Sequence, residues 1–178
     1  MTRCTKTIAI FGSAVVAPDS PQAAQAYQAG YQLALAGFAI CNGGYGGVME
    51  AASRGAHDAQ GQVIGVTSGA FRHRTPNPYL TQMIETTDLL ERITTLMRLA
   101  DGYVVLDGGI GTLAELFVAW NLAATGWHKP VVVVGDALKN ALSQITPYTE
   151  IGEGQMKLLH FQPSVEDMLR CLRDHLIV

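Results

Sequence analysis

The chain has 178 residues, 48% of them apolar and only 15% charged, with a formal net charge of −3. That length suits one α/β domain that buries about 70% of the surface its unfolded chain exposes. The charge excludes a basic field for nucleic acid, and no apolar run approaches the roughly 20 residues of a membrane-spanning helix. Cys4, Cys41, Cys171 and the five histidines are scattered without metal-ligand spacing, so no metal is expected. Three thiols without evident partners, and no N-terminal apolar h-region, point to the cytoplasm.

In chain order, Thr7–Phe11 is a short apolar run ending at Gly12-Ser13, the pattern of a buried strand. Ser20 and Pro21 fit the N-cap and first position of a helix that ends at Gly37. Phe38–Cys41 is a second strand, running into the turn Asn42-Gly-Gly-Tyr-Gly-Gly47 and a helix from Val48 to His57. Val63–Val66 is a third strand and Ser68–Leu80 a loop carrying Arg72, His73 and Arg74. That loop either folds over a ligand as a phosphate grip or stays solvated.

Gln82–Thr86 is a fourth strand. A helix from Leu90 carries Arg92 and Arg98, followed by the strand Gly102–Leu106, the turn Asp107-Gly-Gly-Ile-Gly-Thr112 and a helix holding Glu115. Pro130–Val134 is a wholly apolar strand, Asp136–Ile145 a short helix and Lys157–Phe161 a last strand. Ser164 and Asp167 are spaced as a capping box for a closing helix whose stripe is Val165, Met168, Leu169, Leu172 and Leu176. Strand, turn, helix, strand is the grammar of an open parallel sheet. The fold expected is therefore α/β: one doubly wound domain over residues 1–178, with a mainly parallel sheet and helices on both faces.

Two glycine turns stand out, Gly43-Gly44-Tyr45-Gly46-Gly47 and Gly108-Gly109-Ile110-Gly111. Glycines let the backbone approach a ligand, and the free N–H groups of the helix that follows favour an anion, typically phosphate. In a doubly wound sheet such turns converge on one crevice. The dinucleotide fingerprint is not matched: Gly12-Ser13-Ala14 lacks the later glycines, and the second strand ends at Asn42 rather than an acid. No P-loop motif occurs either.

Gly43-Gly-Tyr-Gly-Gly-Val-Met-Glu50, Glu91-Arg92, Ala100-Asp101 and Asp107-Gly-Gly-Ile-Gly-Thr-Leu-Ala-Glu115 fall in the order and spacing of the LOG family. That family comprises cytokinin-activating phosphoribohydrolases together with bacterial nucleotide 5′-monophosphate nucleosidases. The resemblance runs from Ile8 to about Val134 and implies a Rossmann-like fold, usually a homodimer or higher homo-oligomer. The implied reaction splits a nucleoside 5′-monophosphate into free base and ribose 5-phosphate, with no organic cofactor. By the same resemblance Arg92 and Glu115 match the catalytic arginine and glutamate, and Gly108, Gly109, Gly111 and Thr112 the phosphate-binding turn. Gly12, Ser13, Gly43, Gly44 and Gly46 complete the expected binding set. An older description of such proteins as lysine decarboxylases is discounted, because no lysine lies in a pyridoxal-phosphate motif.

Two departures bear on function. Asp107 stands where the family motif has proline, placing a carboxylate beside the phosphate turn. Val48-Met49-Glu50 resembles a bacterial branch that includes molybdenum-cofactor carrier proteins, which bind rather than cleave. The expected alternative is thus a binding protein for a nucleotide or phosphorylated cofactor. Structural readings exist for the key pair as well. Glu115 fits a helix-dipole acid, and Arg92 a partner for Glu91, Asp88 or Glu85. Arg98 is expected to face solvent, and Leu116, Phe117 and Trp120 exceed one helix stripe and suggest a self-association face.

Overall fold

The computed structural model describes residues 6–176, so Cys4 lies outside the described residues. Seven strands form one sheet: β1 (Thr7–Phe11), β2 (Ala39–Asn42), β3 (Val63–Ser68), β4 (Gln82–Thr86), β5 (Gly102–Val105), β6 (Val131–Val134) and β7 (Leu159–Gln162). Every pairing is parallel and the order is β4-β3-β2-β1-β5-β6-β7. The doubly wound expectation is met. The order reverses at β1, which pairs with β2 on one side and β5 on the other.

The helices are α1 (Pro21–Leu35), α2 (Val48–Asp58), α3 (Leu89–Leu99), α4 (Ile110–Ala124), α5 (Ala137–Ile145), α6 (Glu153–Met156) and α7 (Val165–Leu176). Alternation along β1 shows why two layers are needed. Ile8 and Ile10 join α1, α2 and α7 in one core, while Ala9 and Phe11 join α3, α4 and α5 in the other. The central strands are buried on both faces, which is why they read as unbroken apolar runs.

Most local signals act as expected. Ser20 Oγ accepts from Ala23 N at 3.1 Å, and Gly37 ends the first helix at φ +86°. At α7, Ser164 Oγ accepts from Asp167 N but donates back to the Asp167 carboxylate, so the box closes on the hydroxyl rather than on the Ser164 N–H. The short α6 has no counterpart among the expected elements, and the last strand begins at Leu159, two residues later than the expected Lys157. Glycine within a four-residue helix gives no periodicity to detect. Trp120 Nε1 donates to Gln155 O at 2.7 Å and pins this segment against α4. Trp120 and Leu116 are therefore buried within the chain's own core, leaving Phe117 and Val118 partly exposed. The apolar surplus expected on α4 is mostly absorbed internally.

One crossover departs from the βαβ pattern. Between β3 and β4 the chain makes a single 3₁₀ turn over Gly69–Phe71 and returns as an irregular strap. Asn77 ties that strap to the first glycine turn, donating its N–H to Gly44 O (2.8 Å) and its side-chain amide to Tyr45 O (3.0 Å).

Candidate active site

The C-terminal ends of β1, β2 and β5 open onto a crevice of about 440 Å³ at the point where the strand order reverses. Its walls include Gly12, Ser13, Gly43, Arg92, Gly109, Gly111, Thr112 and Glu115. Eight of the residues expected from sequence are thus brought to one cavity. Gly44, Gly46 and Gly108 are not part of its lining.

Gly108 is needed for close packing: a β-carbon there would collide with Thr112 Oγ1 and press on Ser13 N. The two turn regions are bridged through Ser13, whose N–H donates to Asp107 O (3.1 Å) and whose carbonyl accepts from Val48 N (2.8 Å). The Ser13 N–H is therefore occupied within the protein and is no donor for a ligand. Asn42 has a structural role. Its Oδ1 accepts from Gly44 N at 2.8 Å, and its amide donates to Met49 O and Ser53 Oγ. Asp101 also acts far from the crevice, accepting from Thr7 N and Lys6 Nζ at the start of β1. Arg98 is exposed, as its helical position predicts.

Arg92 and Glu115 form the centre of the wall. Arg92 is 6% exposed and Glu115 8%. Arg92 Nη1 lies 3.5 Å from Glu115 Oε1, and Arg92 Nε donates to Val66 O at 2.8 Å. The sequence offered Glu91, Asp88 and Glu85 as structural partners for this arginine, and Arg92 takes none of them. Asp88 instead caps α3 through Glu91 N, and Glu91 binds Thr87. Gly43 makes room for the pair: a β-carbon there would collide with the Arg92 guanidinium.

Burial penalises the charged carboxylate and pushes Glu115 up to about 7, and the nearby Arg92 only partly offsets this. Burial likewise lowers Arg92. A carboxyl poised near neutrality beside a fixed cation can exist as acid or base at physiological pH. Next to it, the N-cap of α4 is Gly109, which offers no side-chain cap, and Gly109 to Thr112 line the crevice at the positive end of the helix dipole.

Asp107 lies two residues past β5, in the second turn, with its Oδ1 buried and without a hydrogen-bond partner among the described residues, and burial raises its pKa. Tyr45 and Phe71 went unrecognised in the sequence. Both line the crevice, and Arg92 lies over both rings at 5.9 and 5.6 Å. Tyr45 sits inside the first glycine turn, which was the available signal. Nothing local marks Phe71, because its place depends on the strap.

Comparison with known proteins agrees with this geometry, and residues 5–160 match the SLOG cluster4 family. The chain belongs to that SLOG/LOG family. It is 30% identical over 138 residues to the cytokinin riboside 5′-monophosphate phosphoribohydrolase of Mycobacterium tuberculosis, covering 74% of each chain. It is 33% identical over 122 residues to the pyrimidine/purine nucleotide 5′-monophosphate nucleosidase of Escherichia coli. That alignment covers 62% of this chain but spans only 27% of the longer enzyme. Among solved structures, the molybdenum cofactor binding protein of Rippkaea orientalis superposes with a TM-score of 0.77 at 26% identity, covering 98% of both chains. Among the described residues, no helix of this SLOG-family protein is long and apolar enough to cross a membrane.

Proposed function

We propose that this protein hydrolyses the N-glycosidic bond of a nucleoside 5′-monophosphate, giving free base and ribose 5-phosphate. The observation that carries the reading is the buried Arg92–Glu115 pair beside the uncapped start of α4. The phosphate takes the N–H groups of Gly109, Gly111 and Thr112. Leaving of the base develops positive charge on the ribose, as in glycoside hydrolysis. The Glu115 carboxylate stabilises that charge and accepts a proton from the attacking water, whose oxygen bonds to C1′. The C1′–N bond breaks, its electron pair leaves with the base, and the base takes up the proton that Glu115 accepted, which returns Glu115 to its ionised form. Arg92 holds Glu115 in place and clamps the substrate through its remaining N–H groups. The two relatives named for nucleotide hydrolysis support this reading.

A second reading, a carrier of a phosphorylated cofactor, is favoured by Asp107, whose unpartnered oxygen has no place in the hydrolase scheme, and by the cofactor-binding structural neighbour. The deciding experiment incubates the protein with AMP, GMP, IMP, CMP, UMP and isopentenyladenosine 5′-monophosphate and separates the products by HPLC. Free base and ribose 5-phosphate released by the wild type and lost in Glu115→Gln support the hydrolase. Binding without cleavage of any of the six moves the function to the carrier class.

A further inference from the structure

We propose that Arg74, held over the crevice by the ring of Phe71, grips the anionic end of the ligand. This rests on the reading of the crevice as a phosphate-ligand site. Of the three basic residues in the strap, Arg74 alone lines the crevice, whereas Arg72 and His73 do not.

The strap is anchored at each step. Ser68 Oγ accepts from Ala70 N at 3.2 Å, and Arg74 N donates to Phe71 O at 2.8 Å, closing a turn. The Tyr45 hydroxyl accepts from Ser68 N at 3.0 Å and donates to Ser68 O at 3.3 Å. The Tyr45 ring meets Phe71 edge-on, with centroids 5.8 Å apart. The Arg74 guanidinium then lies 5.1 Å from the centre of the Phe71 ring. An otherwise solvated side chain is thereby preorganised at the mouth of the cavity.

Charge gives the direction. Arg92 has Glu115 as counter-ion, whereas Arg74 makes no ion pair among the described residues. Two guanidinium groups thus approach one ring, at 5.1 and 5.6 Å, and Glu115, paired with Arg92, is the one carboxylate that forms an ion pair with either among the described residues. They are close enough for Arg74 to disfavour the charge on Arg92. That carboxylate is itself partly protonated near neutrality. The excess positive charge and the start of α4 line the same crevice, and a phosphate dianion satisfies both. Arginine suits this role because its fork matches two phosphate oxygens at once.

Isothermal titration of adenosine and ribose 5-phosphate into wild type, Arg74→Ala, Arg74→Lys and Phe71→Leu tests the assignment. AMP is titrated into the same set carrying Glu115→Gln, so that it is not cleaved, with steady-state kinetics of the proteins that retain Glu115 alongside. Arg74→Ala is expected to weaken AMP and ribose 5-phosphate at least tenfold and to leave adenosine within twofold. KM should rise in parallel while kcat stays within threefold. Arg74→Lys should recover part of the loss, and Phe71→Leu should fall between wild type and Arg74→Ala. An AMP affinity that Arg74→Ala changes by less than twofold overturns the inference, as does an equal loss for adenosine, which would put the guanidinium on the base. If the wild type binds AMP without cleaving it, the hydrolase reading fails while the binding series still decides Arg74. A wild type that binds neither AMP nor ribose 5-phosphate overturns both.

Discussion

The Arg92 guanidinium on α3 and the Glu115 carboxylate on α4 meet at 3.5 Å where almost no solvent reaches either. The spacing is longer than the roughly 2.8 Å of a tight charge-assisted hydrogen bond. The Val66 carbonyl holds the arginine from behind. A buried pair of this kind is poor evidence for stability, because the desolvation of two charges offsets their attraction. Its value lies in setting the protonation of Glu115 at the wall of the crevice.

The first prediction concerns the pH dependence of hydrolysis. In the proposed reaction Glu115 acts ionised, so kcat should rise as pH passes through about 7 and level off above it. Arg92→Lys should move that limb to higher pH, because a shorter, less well-placed cation offsets burial less. Glu115→Gln should lower kcat by roughly 10²–10⁴-fold and erase the limb. A Gln variant that keeps the limb would assign it to another group.

Stability gives an independent test of the same carboxyl. Its folded pKa lies above the ordinary value of 4.5, so the folded state binds the proton more tightly. Stability from this group is therefore full below 4.5 and declines as pH rises to about 7. Denaturant titrations of wild type and Glu115→Gln at about pH 4.5 and about pH 8 should show the wild type losing stability relative to the variant. No difference between the two pH values would mean that the carboxyl is not held as described.

Gly43 and Gly109 should part company on substitution. In Gly43→Ala the new methyl displaces the Arg92 guanidinium and presses on Met49 Sδ, so activity should drop at least tenfold in a folded protein. Gly109 has an ordinary negative φ, and nothing lies within 4 Å of where its β-carbon would stand, so Gly109→Ala should leave the melting temperature unchanged. Its effect should be confined to ligand affinity. Circular dichroism melts with parallel kinetics check both.

Asp107→Asn should stabilise the protein above the pH range in which the acid ionises, and have little effect below it. Burial raises the pKa of Asp107, so the native fold prefers its protonated form and loses stability as the carboxyl ionises. Removing the negative charge should also tighten ribose 5-phosphate binding. Melting temperatures between about pH 4 and about pH 8 and a phosphate-ligand titration read the two effects separately.

Asn42→Ala should cost about 2–3 kcal/mol, since it frees Gly44 N, Met49 O and Ser53 Oγ in a fully buried place. That corresponds to a melting temperature lower by roughly 5–10 °C. An unchanged melt would show that water replaces the amide.

Apart from the short α6, the order of strands and helices was legible in the sequence, as were the two glycine turns and the candidate residues Arg92 and Glu115. Each depends on local rules: apolar runs for buried strands, caps and C-terminal glycines for helix ends, and motif spacing for the turns. The sequence could not choose the partner of Arg92. Three nearby acids were available, but the one it meets arrives through the pairing of β1 with β5, which swings α3 and α4 onto the same face. Nor could it separate Arg74 from Arg72 and His73, because that depends on an irregular crossover with no periodicity. Local sequence thus determined the elements and the chemistry they carry. Only the tertiary structure decided which charges became neighbours and lost their water, because desolvation and long-range pairing are properties of the packed sheet.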